Sequence, residues 1–121
     1  IEPILFMSWP YKNKPEMQLE LEKEFFKASE LNNLRMIPAG QAFLYINQNF
    51  PNINLYTEDH RHPSKEGTYL AALMIFSFLT NKSPEGNKYI MDLDHEVAKT
   101  LQSVAWITLQ EFQKKISNSG L

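Results

Sequence analysis

The run Tyr69-Leu70-Ala71-Ala72-Leu73-Met74-Ile75-Phe76 constrains the fold more than any other stretch of this chain. It carries no polar side chain other than one tyrosine. The run is too short to cross a bilayer, which takes ~20 residues. A helix that is apolar on every side must instead be covered by other elements. The spacing therefore predicts a fully buried helix over residues 64–79.

Around it, six further segments can be read. Ile4-Leu5-Phe6-Met7 is a short apolar run between Pro3 and Pro10, as expected of a strand in the interior of a sheet. Residues 15–31 have a helical pattern, with Leu19, Phe26 and Leu31 expected inward and Glu20, Glu22, Lys23, Glu24 and Lys27 outward. Leu34-Arg35-Met36-Ile37 reads as a second strand, ended by Pro38-Ala39-Gly40, and a short helix follows over residues 41–48. Asn54-Leu55-Tyr56 is extended. The last helix, residues 94–115, places Val97, Leu101, Val104, Ala105, Leu109 and Phe112 on one stripe, with Asp92 or Asp94 as its cap.

Strands alternating with helices predict an α/β class with a parallel sheet. Two or three short strands are too few to cover both an all-round apolar helix and an amphipathic one of about five turns. The expectation is that part of the sheet lies outside this chain. An isolated chain would then expose apolar surface along residues 69–79 or dimerise to hide it.

Bulk composition narrows the function classes. At 121 residues the chain is one domain at most, and 43% hydrophobic residues suffice for a packed core. A net charge of −2 without basic runs argues against nucleic acid as a partner. There is no cysteine, which removes disulfides, thiolate metal sites and cysteine nucleophiles but leaves the compartment open.

The chemistry-bearing segment is Asp59-His60-Arg61-His62-Pro63-Ser64. A neutral imidazole that takes a proton at one nitrogen works best when a carboxylate holds its other N–H. Three residues across a tight turn bring Asp59 and His62 within reach of each other. Pro63 keeps His62 out of helical geometry and suits the first position of a helix. The plainer alternative is that Asp59 is a turn or capping residue and His62 a polar residue before a helix. A third alternative is a metal site built from Asp59, His60 and His62, whose residue types suit ligation.

The serines are Ser8, Ser29, Ser64, Ser77, Ser83, Ser103, Ser117 and Ser119, and none sits in a Gly-x-Ser-x-Gly elbow. Four glycines leave no phosphate-cradling loop. Ser8 ends the first strand, and its neighbour Trp9 is either a substrate wall or a core-edge tryptophan beside a turn.

The pattern Tyr56-x-x-Asp59-x-x-His62-Pro63-Ser64-x-x-Gly67-x-Tyr69-Leu70-Ala71-Ala72 resembles the last block of the SGNH (GDSL-type) hydrolases. Pro3-Ile4-Leu5-Phe6-Met7-Ser8-Trp9, Ile37-Pro38-Ala39-Gly40-Gln41-Ala42-Phe43 and Leu101-Gln102-x-x-Ala105-Trp106 resemble a bacterial branch of that superfamily. The resemblance covers nearly all of residues 1–121. It implies a three-layer, flavodoxin-like α/β fold with a parallel sheet, of which this chain would be the C-terminal portion. It also implies hydrolysis of carboxylic esters, such as acyl or acetyl groups on lipids or carbohydrates. Neither metal nor organic cofactor would be needed.

In that scheme His62 is the general base, Asp59 orients it, and Trp9 contacts a small-molecule or glycan ester. The family's nucleophile motif, its oxyanion-hole glycine and its Gly-x-Asn-Asp block have no counterpart here. The expected partner is therefore the N-terminal remainder of the same domain, and the chain alone is expected to be inactive. The alternative from another class is a non-catalytic SGNH-like domain binding carbohydrate or protein, with Trp9, Tyr11 and Tyr45 as stacking surfaces.

Overall fold

A computed structural model describes residues 1–119. In chain order the elements are β1 (Ile4–Phe6), α1 (Met17–Asn32), β2 (Arg35–Ile37), α2 (Ala39–Asn49), α3 (Lys65–Thr80) and α4 (His95–Ser119). The two strands pair in parallel, with Ile4 opposite Arg35, Leu5 opposite Met36 and Phe6 opposite Ile37.

This arrangement corrects the expected fold class. The molecule is mostly helical around a two-stranded sheet, not a three-layer flavodoxin-like α/β fold. The physical reason lies in how α3 is covered. Tyr69, Leu70, Leu73, Met74 and Phe78 pack against α4 and α2, where they meet Leu101, Val104, Ala105, Leu109, Phe43 and Ile46. Helix-on-helix packing supplies the cover that the sequence pattern assigned to a sheet. Burial of each Leu- or Phe-sized side chain there contributes about 1.5–3 kcal/mol. The extended piece at Leu55-Tyr56 does not join the sheet either, since Tyr56 forms an isolated antiparallel bridge with Pro63.

Two other expectations are corrected at the level of faces. The α3 helix is not buried all round: Ile75, Phe76 and Leu79 remain exposed, in keeping with the apolar surface expected along residues 69–79 of the chain by itself. On α1, Leu19 and Leu31 are each 75% exposed, whereas Gln18 is buried and Phe25 and Phe26 are half-buried. The inward stripe therefore runs through 18, 22, 25–26 and 29, the next row round the helix. Buried Gln18 donates to Glu22 Oε1 (2.9 Å), which also accepts from Gln41 of α2 (3.2 Å). A polar seam thus joins α1 to α2. Phe25 and Phe26 pack beside a smaller cluster of Met7, Met36 and Phe112.

The helix ends follow their local chemistry. Ser64 caps α3, its Oγ accepting from the Gly67 amide at 3.2 Å. Asp94 Oδ1 accepts from the amides of Glu96 and Val97 at the start of α4. Asn33 and Asn81 close α1 and α3 in left-handed geometry, with φ of 52° and 54°. Among the described residues no helix is long and apolar enough to cross a membrane.

Candidate functional site

The site lies on the connection between α2 and α3. Leu55 and Tyr56 are its buried anchors. The Tyr56 hydroxyl donates to the Pro10 carbonyl at 2.7 Å and accepts from Asn47 Nδ2 at 3.0 Å. This ties the connection to the segment that follows β1 and to α2. From Tyr56 the chain leaves the core, turns and returns. The Thr57 amide donates to the His62 carbonyl (2.9 Å) and the Ser64 amide to the Leu55 carbonyl (2.8 Å). The loop is therefore closed across its base.

At the tip, His60 adopts φ of 61°, and its amide donates to the Thr57 carbonyl at 3.0 Å. Its own carbonyl accepts from the Lys12 amide at 2.9 Å, a second tie to the segment after β1. The left-handed residue reverses the chain and aims the following amides back at Asp59.

The Asp59 carboxylate fills the loop. Its Oδ1 accepts from the Arg61 amide (2.9 Å), the His62 amide (3.0 Å) and the Thr57 hydroxyl (2.9 Å). Its Oδ2 meets His62 Nδ1 at 2.5 Å. The His62 bond and these backbone N–H groups hold the Asp59 carboxyl far below the usual carboxylate range. An ionised carboxylate can only accept, so His62 Nδ1 carries the hydrogen, and in the neutral form of the ring Nε2 presents its lone pair. Among the described residues no group bonds to that Nε2.

Both side chains reach solvent: His62 is 78% and Asp59 45% exposed. Asp59 is thus not the buried acid of a completed triad. Water competes for the pair, which contributes little to folding. What the loop supplies is orientation, because three donors besides the His62 ring fix the carboxylate.

The turn reading and the acid–base reading of Asp59 prove compatible. One oxygen builds the turn and the other faces the imidazole. Sequence reasoning missed Thr57, although a hydroxyl two residues before an Asx-type turn is a usable signal. It also missed Lys12, whose backbone amide donates to the His60 carbonyl and whose Nζ donates to Asn54 Oδ1 at 3.0 Å, ties across more than 40 positions that leave no spacing signature.

Trp9 stands under this loop. Its ring stacks on Phe43 with centroids 4.2 Å apart and planes 6° apart, and it meets Phe6 edge-on at 6.2 Å. Its indole N–H donates to the Arg61 carbonyl at 3.0 Å. One face and the polar edge expected to meet substrate are therefore engaged by the protein. Tyr11 is covered by the Arg61 guanidinium, 4.9 Å from its ring centroid, which leaves Tyr45 as the exposed aromatic of the three expected stacking surfaces.

No serine hydroxyl among the described residues bonds to His62. Ser64 is occupied as a cap and donates to the Asn54 carbonyl at 2.8 Å, Ser29 donates to Leu34, and Ser77 is buried inside α3. The metal alternative fails on geometry, since the left-handed His60 breaks the extended run that would align it with His62. No group of three His, Cys, Asp or Glu residues among the described residues could hold a metal ion. His95 lies exposed at the start of α4. An apolar groove of about 710 Å³ between Phe26, Met36, Phe78 and Phe112 includes none of the site residues.

Comparison with known proteins adds no relative: no family model, no curated protein and no solved structure matches the chain.

Proposed function

We propose that this chain carries the acid–base half of a serine ester hydrolase resembling the SGNH (GDSL-type) enzymes. The observation that supports the reading best is the Asp59–His62 bond, with the opposite imidazole nitrogen open to solvent. His62 Nε2 takes the proton as a serine oxygen attacks the ester carbonyl. Asp59 stabilises the imidazolium that forms. The proton then passes to the departing alcohol, leaving an acyl-serine, and His62 activates water for its hydrolysis. The serine and the oxyanion donors come from outside these 121 residues, from an N-terminal portion of the same domain. The substrate class is a carboxylic ester, such as an acyl or acetyl group on a lipid or carbohydrate.

A fluorophosphonate probe tests this on the intact protein that contains the chain. It should label one serine outside residues 1–121, and His62→Ala should abolish labelling. No labelling of the parent, or undiminished labelling of the variant, would sink the proposal. Labelling of a serine within the chain would relocate the nucleophile and overturn its second half.

A further inference from the structure

We infer that Trp9 is a positioning residue for the general base, acting through the Arg61 carbonyl and not through contact with substrate. The inference rests on the hydrolase reading for its kinetic consequence, but its structural core does not.

Asp59 Oδ1 binds the amides of Arg61 and His62, so those two peptide groups set where the carboxylate sits relative to the imidazole. The peptide unit joining Arg61 to His62 carries both the Arg61 carbonyl and the His62 amide. Its amide side donates to Asp59 at 3.0 Å, and its carbonyl side accepts from Trp9 Nε1 at 3.0 Å. A planar peptide held at both ends cannot rotate without breaking one bond. Trp9 thus fixes the tilt of the unit that delivers His62.

The tryptophan can do this because it is itself immobile. It is sandwiched against Phe43, a fully buried residue of α2, and edge-packed by Phe6 of β1. Tyr56, whose hydroxyl bonds to the carbonyl of Pro10, is packed edge-on against the same Phe43 at 6.0 Å. Strand β1, helix α2 and the base of the loop therefore meet on one aromatic stack, from which the indole N–H reaches Arg61 and the Tyr56 hydroxyl reaches Pro10. Tryptophan is the residue type this needs, because phenylalanine would preserve the stack and offer no donor.

Trp9→Phe in the intact protein separates the two roles. The first readout is the His62 tautomer, followed by long-range nitrogen–proton NMR at alkaline pH. The parent should show His62 with its hydrogen on Nδ1, held by Asp59, and His62→Asn assigns the signal. In Trp9→Phe the population should move measurably toward the Nε2–H form that free imidazole side chains prefer.

The second readout is hydrolysis of p-nitrophenyl acetate. Here kcat should fall about tenfold, the worth of one hydrogen bond in the transition state, with KM within about twofold. A substrate wall would instead raise KM and leave the tautomer alone. An unchanged tautomer population in a folded Trp9→Phe protein overturns the inference whatever the kinetics do. If the parent has no esterase activity, the hydrolase reading fails while the tautomer measurement still decides the role of Trp9. Trp9→Tyr, with a hydroxyl in place of the indole donor, should recover part of the tautomer bias that Trp9→Phe loses, and a Trp9→Tyr protein no different from Trp9→Phe would also count against the inference.

Discussion

The Asp59 carboxylate divides its work between its two oxygens, with Oδ1 closing a turn over three donors and Oδ2 bound to His62 Nδ1 at 2.5 Å. An amide in its place keeps only one acceptor oxygen. Asp59→Asn must either abandon the turn or turn its NH2 toward His62, which then carries its hydrogen on the wrong nitrogen. In a serine hydrolase that exchange costs about 10⁴-fold in kcat. Esterase assays of the intact protein should show a loss of that order with KM little changed, and a loss below tenfold would remove Asp59 from the mechanism.

The same bonds make a prediction about pH. The Asp59 carboxyl titrates well below its unfolded value, chiefly because of His62 and then the two amides. A group depressed in this way contributes stability above the ordinary carboxylate range and loses it as pH falls through the folded value. Carboxyl carbon NMR should therefore show Asp59 still ionised at pH ~3, below the ordinary midpoint of ~3.9. In His62→Ala the midpoint should rise, but not fully, because both amides remain. A parent midpoint in the ordinary range would mean that the loop does not hold the carboxylate as described. The pair is exposed, so global stability should follow this titration only weakly.

Much of this site was legible in the sequence because it is local. Asp59, His62, Pro63 and Ser64 interact across three or four residues, and turn and cap rules operate at that range. The helices were legible too, to within a few residues of each end. What misled was inference about cover. An all-round apolar run reads as buried, but Ile75, Phe76 and Leu79 stay exposed and the buried remainder is covered mainly by α4 and α2, with β2 only a minor neighbour. Periodicity says that a face is apolar and nothing about what meets it. The phase of α1 failed for a related reason: its buried stripe includes Gln18, satisfied in part by Glu22, where a hydropathy rule expects leucine. The Trp9 bond to Arg61 spans 52 positions and leaves no trace in spacing.

Ser64 follows the site histidine by two residues, yet its hydroxyl is committed to Asn54 and to the Gly67 amide. Ser64→Ala should cost about 1 kcal/mol of stability through loss of the α3 cap, visible as a lower urea midpoint. Fluorophosphonate labelling of the intact protein should survive. Abolished labelling in a folded Ser64→Ala protein would make Ser64 the nucleophile and refute its role as a cap alone.

Tyr56→Phe removes the hydroxyl that links Pro10 to Asn47 and leaves their polar groups short of a partner. A buried acceptor left unpaired costs about 1–3 kcal/mol. Denaturation should register that loss. Because Tyr56 also begins the loop that holds Asp59, its backbone amides near 56–62 should exchange faster with solvent in the variant. A loss under about 0.5 kcal/mol would show that water replaces the hydroxyl without strain.

Gly67 provides the strictest steric test of how the loop is seated on α3. A Cβ at this position would lie 2.2 Å from the Leu55 carbonyl oxygen and 3.0 Å from Pro63 Cβ. Neither neighbour is the free end of a flexible side chain. The Leu55 carbonyl also accepts from the Ser64 amide, so moving it strains the base of the loop. Gly67 is helical, and in open space Gly67→Ala would stabilise α3 by up to ~1 kcal/mol. Here the clash should reverse the sign, giving a net loss of about 1–3 kcal/mol, the usual cost of overpacking. Because the displaced carbonyl belongs to the loop base, the Asp59–His62 pair should shift with it, and kcat should fall along with stability. A neutral or stabilised Gly67→Ala protein would mean that α3 and the loop are further apart than the structure has them.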